Sequence, residues 1–339
     1  MTLEVLQIVW FILYAILLIG YAILDGFDLG IGALSLFAKD ENERAIHMNA
    51  IAPVWDGNEV WLLTAGGALF AAFPPVYAAV FSGFYIAFYL LLAALIFRGV
   101  SFAFRNQLDS PRWRRSWDWA FGIGSLLPPI LYGVAVGNIL RGVPIDAAGE
   151  YAGTFLALLN PYAIGVGLLV LAIFLTHGSL FLAIKTEGEL HDRAKKMSGR
   201  FWMAWTALWI IMTIATFFVA PERFGIANPL FWVFLVGSLG GLAATIILIG
   251  MDHPIKAFVA SAVTIASQVS IAFVGLFPTL VPSTLGREYD LTAFAHSSSQ
   301  KTLTVMLVIV LIGMPVVLAY TIWVFRVFRG KVKATGDGY

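Results

Sequence analysis

The sequence predicts an all-α integral membrane protein, a single transmembrane domain over residues 1–339, on three observations. Hydrophobic residues make up 60% of the 339 and charged ones only 12%, against roughly 25% charged in ordinary globular domains, more apolar surface than a soluble fold can bury. Nine stretches reach the length of about 20 apolar residues that a helix needs to cross a hydrocarbon core. Lys and Arg fall almost entirely on one set of the connections between them. Net charge is +1, so nucleic acid is not a partner, and with no Cys the chain has no disulfide, iron–sulfur cluster or thiolate chemistry. Aromatic residues at 14%, with 32 Gly and 14 Pro, are the usage of packed and interrupted membrane helices.

The spans are expected at 5–37, 55–73, 76–97, 119–140, 161–184, 201–220, 230–250, 255–277 and 303–328. The first lacks a basic leader and runs straight into further apolar sequence, so it is a span and not a cleaved signal. At about 33 residues, near 50 Å of helix, it must tilt, kink or protrude. Pro74 and Pro75 cannot sit inside a hydrogen-bonded helix and force a tight turn between the second and third spans. The polar connections are too short to hold a soluble domain.

With nine spans, alternate connections share a side. One side gathers 17 of the 21 cations: Lys39 and Arg44; Arg98, Arg105, Arg112, Arg114 and Arg115; Lys185, Arg193, Lys195, Lys196 and Arg200; Lys256; Arg326, Arg329, Lys331 and Lys333. Only Arg141, Arg223, Arg287 and Lys301 lie on the other. Cation-rich loops stay in the cytoplasm, so the N-terminus is expected outside, the C-terminus inside, and residues 278–302 form the main external loop.

Charged groups within spans cost on the order of 3 kcal/mol on insertion scales and mark functional positions. Asp25 and Asp28, in Gly20-Tyr-Ala-Ile-Leu-Asp25-Gly-Phe-Asp28-Leu-Gly30-Ile-Gly32, are three apart and share a helix face. Gly26 and Gly30 form a small-xxx-small pair that lets another helix approach. Asp56 and Glu59 open the second span in Trp55-Asp56-Gly57-Asn58-Glu59, again three apart. Four carboxyl groups are thus expected near the cytoplasmic ends of two sequential helices, with Arg98 the nearest counter-charge. Burial and like charge favour the protonated form of such groups, which is what a proton relay requires. A structural reading stands beside it: the acids cap helix starts, pair with Arg98 or line a polar interface, and Asp28 fits that role best.

His177 is the one histidine expected inside a span, and a haem iron could pair it with Met203, Met212, Met306 or Met314. A lone buried histidine is more commonly hydrogen-bonded to a neighbouring helix. Arg112-Trp-Arg-Arg115 with Trp117 and Trp119, and Lys195 with Lys196, read as interfacial anchors. Ser297-Ser-Ser-Gln300 reads as a cap for the last helix or a contact for a partner. The sequence holds no phosphate-binding glycine loop, nucleophile motif or metal-ligand spacing.

Asp25-Gly-Phe-Asp28-Leu-Gly, Trp55-Asp-Gly-Asn58-Glu-Val-Trp61 and Thr64-Ala-Gly-Gly-Ala-Leu-Phe-Ala-Ala-Phe73 together resemble subunit II of the cytochrome bd-type quinol oxidases. Phe81-Ser-Gly-Phe-Tyr85, Phe97-Arg98, Arg112-Trp113, Trp117-Asp118-Trp119, Pro128-Pro129, Gly137-Asn138, Thr186-x-Gly188-Glu-Leu190, Phe277-Pro278 and Pro282-Ser283 carry the likeness along nearly the whole chain. The length and the start at Met1 are those expected of a complete subunit.

The resemblance implies nine helices as two four-helix bundles plus one peripheral helix. It implies pairing with subunit I, which holds two b-type haems and one d-type haem and the external quinol-binding loop, and often a very small third subunit. The complex, in the bacterial cytoplasmic membrane, oxidises quinol and reduces dioxygen to water with cytoplasmic protons; this chain is expected to hold no redox cofactor itself. Its expected roles are to scaffold subunit I and to carry a proton path, with Asp25 and Asp56 foremost, Asp28 and Glu59 beside them, and Trp55, Asn58 and Arg98 in support. An apolar dioxygen route or a structural quinone in this subunit is also credited to related enzymes. Two other classes compete: a secondary transporter with carboxylates at a midplane site, and a cytochrome that ligates haem through His177.

Overall fold

The computed structural model describes residues 1–332; Lys333, counted above among the inner cations, lies outside the described residues. Eleven helices dominate the described residues: α1 (Leu3–Leu34), α2 (Glu41–Ile51), α3 (Trp55–Ala72), α4 (Pro74–Gly83), α5 (Tyr85–Phe104), α6 (Pro111–Arg141), α7 (Pro161–Lys185), α8 (Gly188–Val219), α9 (Pro229–Gly250), α10 (Pro254–Leu276) and α11 (Gln300–Val327). One small antiparallel hairpin joins β1 (Thr279–Val281) to β2 (Leu291–Thr292). Helix starts follow from local chemistry. Ser110, Asn160 and Asn228 each cap a helix whose first residue is proline, the cap accepting a backbone N–H while the proline gives up a donor the first turn cannot use. Ser299 caps α11 as the sequence allowed, while Ser298 bonds the Ala71 and Ala72 carbonyls at the end of α3.

Among the described residues, eight helices are long and apolar enough to cross a membrane; α3 is not among them. It is 18 residues long and its first turns carry Asp56, Asn58 and Glu59. The expected span at 76–97 is also corrected: the chain breaks at Phe84 (φ −103°, ψ 18°), so that α4 and α5 are separate helices. Gly83 at the break lies under Tyr151, where a Cβ would come within 2.7 Å of that side chain. The overlong first span, by contrast, is one unbroken 32-residue helix ending in a single 3-10 turn.

Hydrogen bonds and ion pairs sort the connections into two ends. At one, Ser298 N donates to Ala72 O, Val143 N to Pro282 O, and Arg287 pairs with Glu222. At the other, Arg114 pairs with Glu41, Lys39 with Glu189, Lys195 with Asp252, and Val332 N donates to Lys185 O. This second end holds the cation-rich connections.

α1 is the central post. It crosses α7 at Gly30 and Gly178 with backbones in contact: a Cβ on Gly30 would stand 2.0 Å from the Phe174 carbonyl oxygen. Gly26 meets the Phe174 ring, so the Gly26/Gly30 pair receives α7 as its partner. α6 and α7 meet in the same way at Gly133 and Gly167. α11 lies outside this packing, with only Leu303 and Val324 buried.

Candidate functional site

α1, α3, α5 and α6 converge around a charged site inside the helical packing. Asp25 and Arg98 are both 0% exposed. The Arg98 guanidinium donates to both Asp25 oxygens, at 2.8 Å and 3.4 Å, a two-pronged charge-assisted contact. Its second carboxyl partner is Glu59, 3.7 Å away and 20% exposed, so this edge of the site opens toward the surface of the chain. Trp55 covers the guanidinium at 5.7 Å and is itself stacked on Phe102. Gly124 of α6 admits α5 here: a Cβ on it would be 2.5 Å from the Ala94 carbonyl oxygen and 3.0 Å from Arg98 N.

One turn along α1, Asp28 is equally buried and accepts a 2.7 Å hydrogen bond from Asn58 Nδ2, which also reaches the Leu24 carbonyl. Its other oxygen, Oδ1, and the Arg98 Nε have no hydrogen-bond partner among the described residues.

The sequence-derived residues therefore divide. Asp25, Asp28, Asn58, Glu59, Arg98 and Trp55 come together. Asp56 does not join them: it is exposed and pairs with no cation among the described residues. Three carboxyl groups surround Arg98, not four. What the sequence reading missed is the continuation of the site along α1. Tyr21, one turn before Asp25, is buried and its hydroxyl lies 2.7 Å from that of Tyr132 on α6. The only sequence signal was the four-residue spacing of Tyr21 and Asp25, which puts both on one face.

His177 on α7 is fully buried. Its Nδ1 is 2.7 Å from Ser261 Oγ, its Nε2 is 3.1 Å from the Ile23 carbonyl oxygen, and its ring stacks on Phe258 at 4.1 Å. Neither nitrogen is open to iron. Of the methionines considered as its partner, Met203 is exposed and Met212 fills the space at Gly165, while Met306 and Met314 pack within other apolar clusters. The residues around His177 do not fit a haem, and they hold helices α1, α7 and α10 together instead. No group of three or more His, Cys, Asp or Glu able to hold a metal ion occurs among the described residues.

Residues 6–328 match the family model for cytochrome bd terminal oxidase subunit II. The chain is 38% identical to cytochrome bd-I ubiquinol oxidase subunit 2 of Escherichia coli (strain K12), covering 97% of this chain and 96% of that one. It is also 38% identical to cytochrome bd ubiquinol oxidase subunit 2 of Bacillus subtilis (strain 168), over 96% of each. The solved structure of bd oxidase from Geobacillus thermodenitrificans superposes with a TM-score of 0.81 at 19% identity, covering 96% of this chain and 98% of the matched one, and so shares the fold.

Proposed function

Since the chain belongs to the cytochrome bd terminal oxidase subunit II family and is a multi-pass membrane subunit of an oxidoreductase complex, we propose that it is the non-haem half of a respiratory quinol oxidase reducing dioxygen to water. It sits in the bacterial cytoplasmic membrane with the N-terminus outside and the C-terminus inside, crossing nine times as two four-helix bundles with α11 peripheral. α3 counts as the second pass, and α4 with α5 as the third. The two sets of connections described above fit this arrangement. Subunit I supplies two b-type haems and one d-type haem, and quinol and dioxygen react there; a very small third subunit completes the complex.

The chain's own role is to hold subunit I and to bring it protons. The observation that carries this is the buried Asp25–Arg98 pair with Glu59 at its exposed edge. Inside apolar packing, one fixed positive charge faces Asp25, Asp28 and Glu59, so the site is short of positive charge. A proton is the cation that a carboxyl group takes up without an ion-sized cavity. Glu59 exchanges protons at the surface and Asp25 stores them within, while Arg98 keeps the ionised form of each tolerable. Asp56 and Gly67 lie with Val60, Leu63 and Phe70 on one exposed stripe of α3. A carboxylate at that depth does not face lipid, so this stripe is where subunit I docks, with Asp56 feeding protons along the seam.

The test is quinol-dependent oxygen consumption by the purified complex. Asp25→Asn and Glu59→Gln each slow turnover while the haem spectrum stays that of the parent. Parent rates in both remove the proton-path reading and leave family membership untouched.

A further inference from the structure

We propose that the Tyr21–Tyr132 hydroxyl pair is the next station of the proton path, carrying protons from the Asp25 site one helical turn further toward the membrane centre. The proposal rests on the proton-path reading above and adds to it two residues outside the charged constellation. Three geometric facts support it. Tyr21 is buried and stands one turn before Asp25 on the same face of α1. Its hydroxyl lies 2.7 Å from the Tyr132 hydroxyl, the distance of a well-made O–H···O bond. The two rings meet edge to face at 5.4 Å (interplanar angle 88°), which holds the hydroxyls in register.

The surroundings are apolar. Leu17, Leu91 and Leu95 are buried in the same cluster as Tyr21, and Tyr132 packs against it. A phenol needs one partner to be satisfied when buried, and a single tyrosine bonded to Asp25 would meet that need. Two tyrosines donated by different helices and pointed at each other form instead a short chain. Tyr132 is half-buried and ends that chain at the flank of α6, away from the cation-rich end where α5 and α6 are joined.

The step is a proton relay without redox change. Tyr21 takes a proton on its oxygen from the Asp25 carboxyl group and passes its own proton to the Tyr132 oxygen. Tyr132 releases its original proton onward. Each phenol ends with one O–H bond as it began, and rotation of both hydroxyls resets the chain.

The experiment uses the assembled oxidase and three variants, Tyr21→Phe, Tyr132→Phe and the double variant, beside Asp25→Asn. Each single variant is expected to slow turnover roughly tenfold, equivalent to about 1.4 kcal/mol on the limiting barrier, and to raise the solvent deuterium isotope effect. The double variant is expected to match either single one, since a chain broken once gains nothing from a second break. Haem content and subunit stoichiometry report assembly. Single variants at parent rate, or losses that multiply in the double variant without a change in isotope effect, overturn the relay and leave the pair a packing contact. If Asp25→Asn is slow while both tyrosine variants run at parent rate, only this extension fails. If Asp25→Asn is also unimpaired, the underlying path fails with it.

Discussion

Replacing Arg98 tests whether the buried pair is a unit. Arg98 is completely enclosed, with Asp25 oxygens at 2.8 Å and 3.4 Å and Glu59 at 3.7 Å. Because neither member of the pair touches solvent, no screening discount applies. Removing one partner of such a pair costs about 3–5 kcal/mol, since the survivor becomes an uncompensated buried charge. Arg98→Met strands Asp25 beside two more carboxyl groups; Asp25→Asn leaves Arg98 with Glu59 as its remaining ion-pair partner and Asp28 nearby. Independent effects would sum to about 6–10 kcal/mol. Arg98→Met with Asp25→Asn removes both charges together, and uncharged replacements of a buried pair come close to neutral. The double variant is therefore expected to lose no more than either single one, a coupling of about 3 kcal/mol or more. SDS-titrated unfolding in mixed micelles, read by the fluorescence of the 11 Trp, supplies the three values. Losses that add to within about 0.5 kcal/mol would refute the claim that these residues act together.

Gly30→Ala should abolish assembly, because its Cβ would stand 2.0 Å from the Phe174 carbonyl oxygen on a helix that cannot retreat; normal recovery of folded chain in detergent would contradict the α1–α7 crossing. Gly67→Leu should fold as the parent, since a Cβ at Gly67 meets nothing within 4 Å, yet lose co-purification with the haem-bearing subunit; retained pairing would move the docking face off α3. Docking of α2 on α8 should weaken in acid. Burial raises the Glu43 carboxyl, but its bonds to Arg193 and to the Lys39 backbone N–H hold it, on balance, below its usual value. Burial likewise holds the His47 imidazole below its usual value, with the Glu43 carbonyl opposing. Both groups bind more protons when undocked, so docking is complete above about pH 6.5 and lost as pH falls, through His47 first and Glu43 later. Protection factors across residues 41–51 at pH 8 and pH 5, each corrected for the intrinsic pH dependence of amide exchange, check this; higher protection at pH 5 would reverse the sign.

Much of this architecture was legible because the bilayer imposes a length and a hydropathy that one helix must meet alone. Runs such as 161–184 and 230–250 needed no partner to be recognised, whereas the start of α6 at Pro111, capped by Ser110, lies eight residues before the expected span at 119–140. The break at Phe84 was hidden, since neither Phe84 nor Gly83 interrupts the hydropathy and Tyr151, which packs over Gly83, is far away in sequence. The charged site was legible by its oddity within apolar sequence, and Arg98 could be matched by sign and depth to the four carboxyl groups together; its pairing with Asp25 in particular is seen only in the fold. Rotation about α3 was not: Asp56 and Glu59 are one turn apart, yet only Glu59 is swung toward Arg98. The tyrosine pair escaped notice because aromatic residues are expected in membrane helices, and only the meeting of α1 with α6 shows two hydroxyls aimed at each other.

The polar opening of α3 bears on how the newly made chain enters the bilayer. Two acids and an asparagine in its first turns make it a poor substrate for the translocon by itself, at about 3 kcal/mol for each charge. Asp28 of α1 is made before α3, but Arg98 of α5 emerges 39 residues after Glu59. Biogenesis must then hold α3 at the threshold until α5 follows, so that the helices settle into lipid as a group rather than in the order of their synthesis.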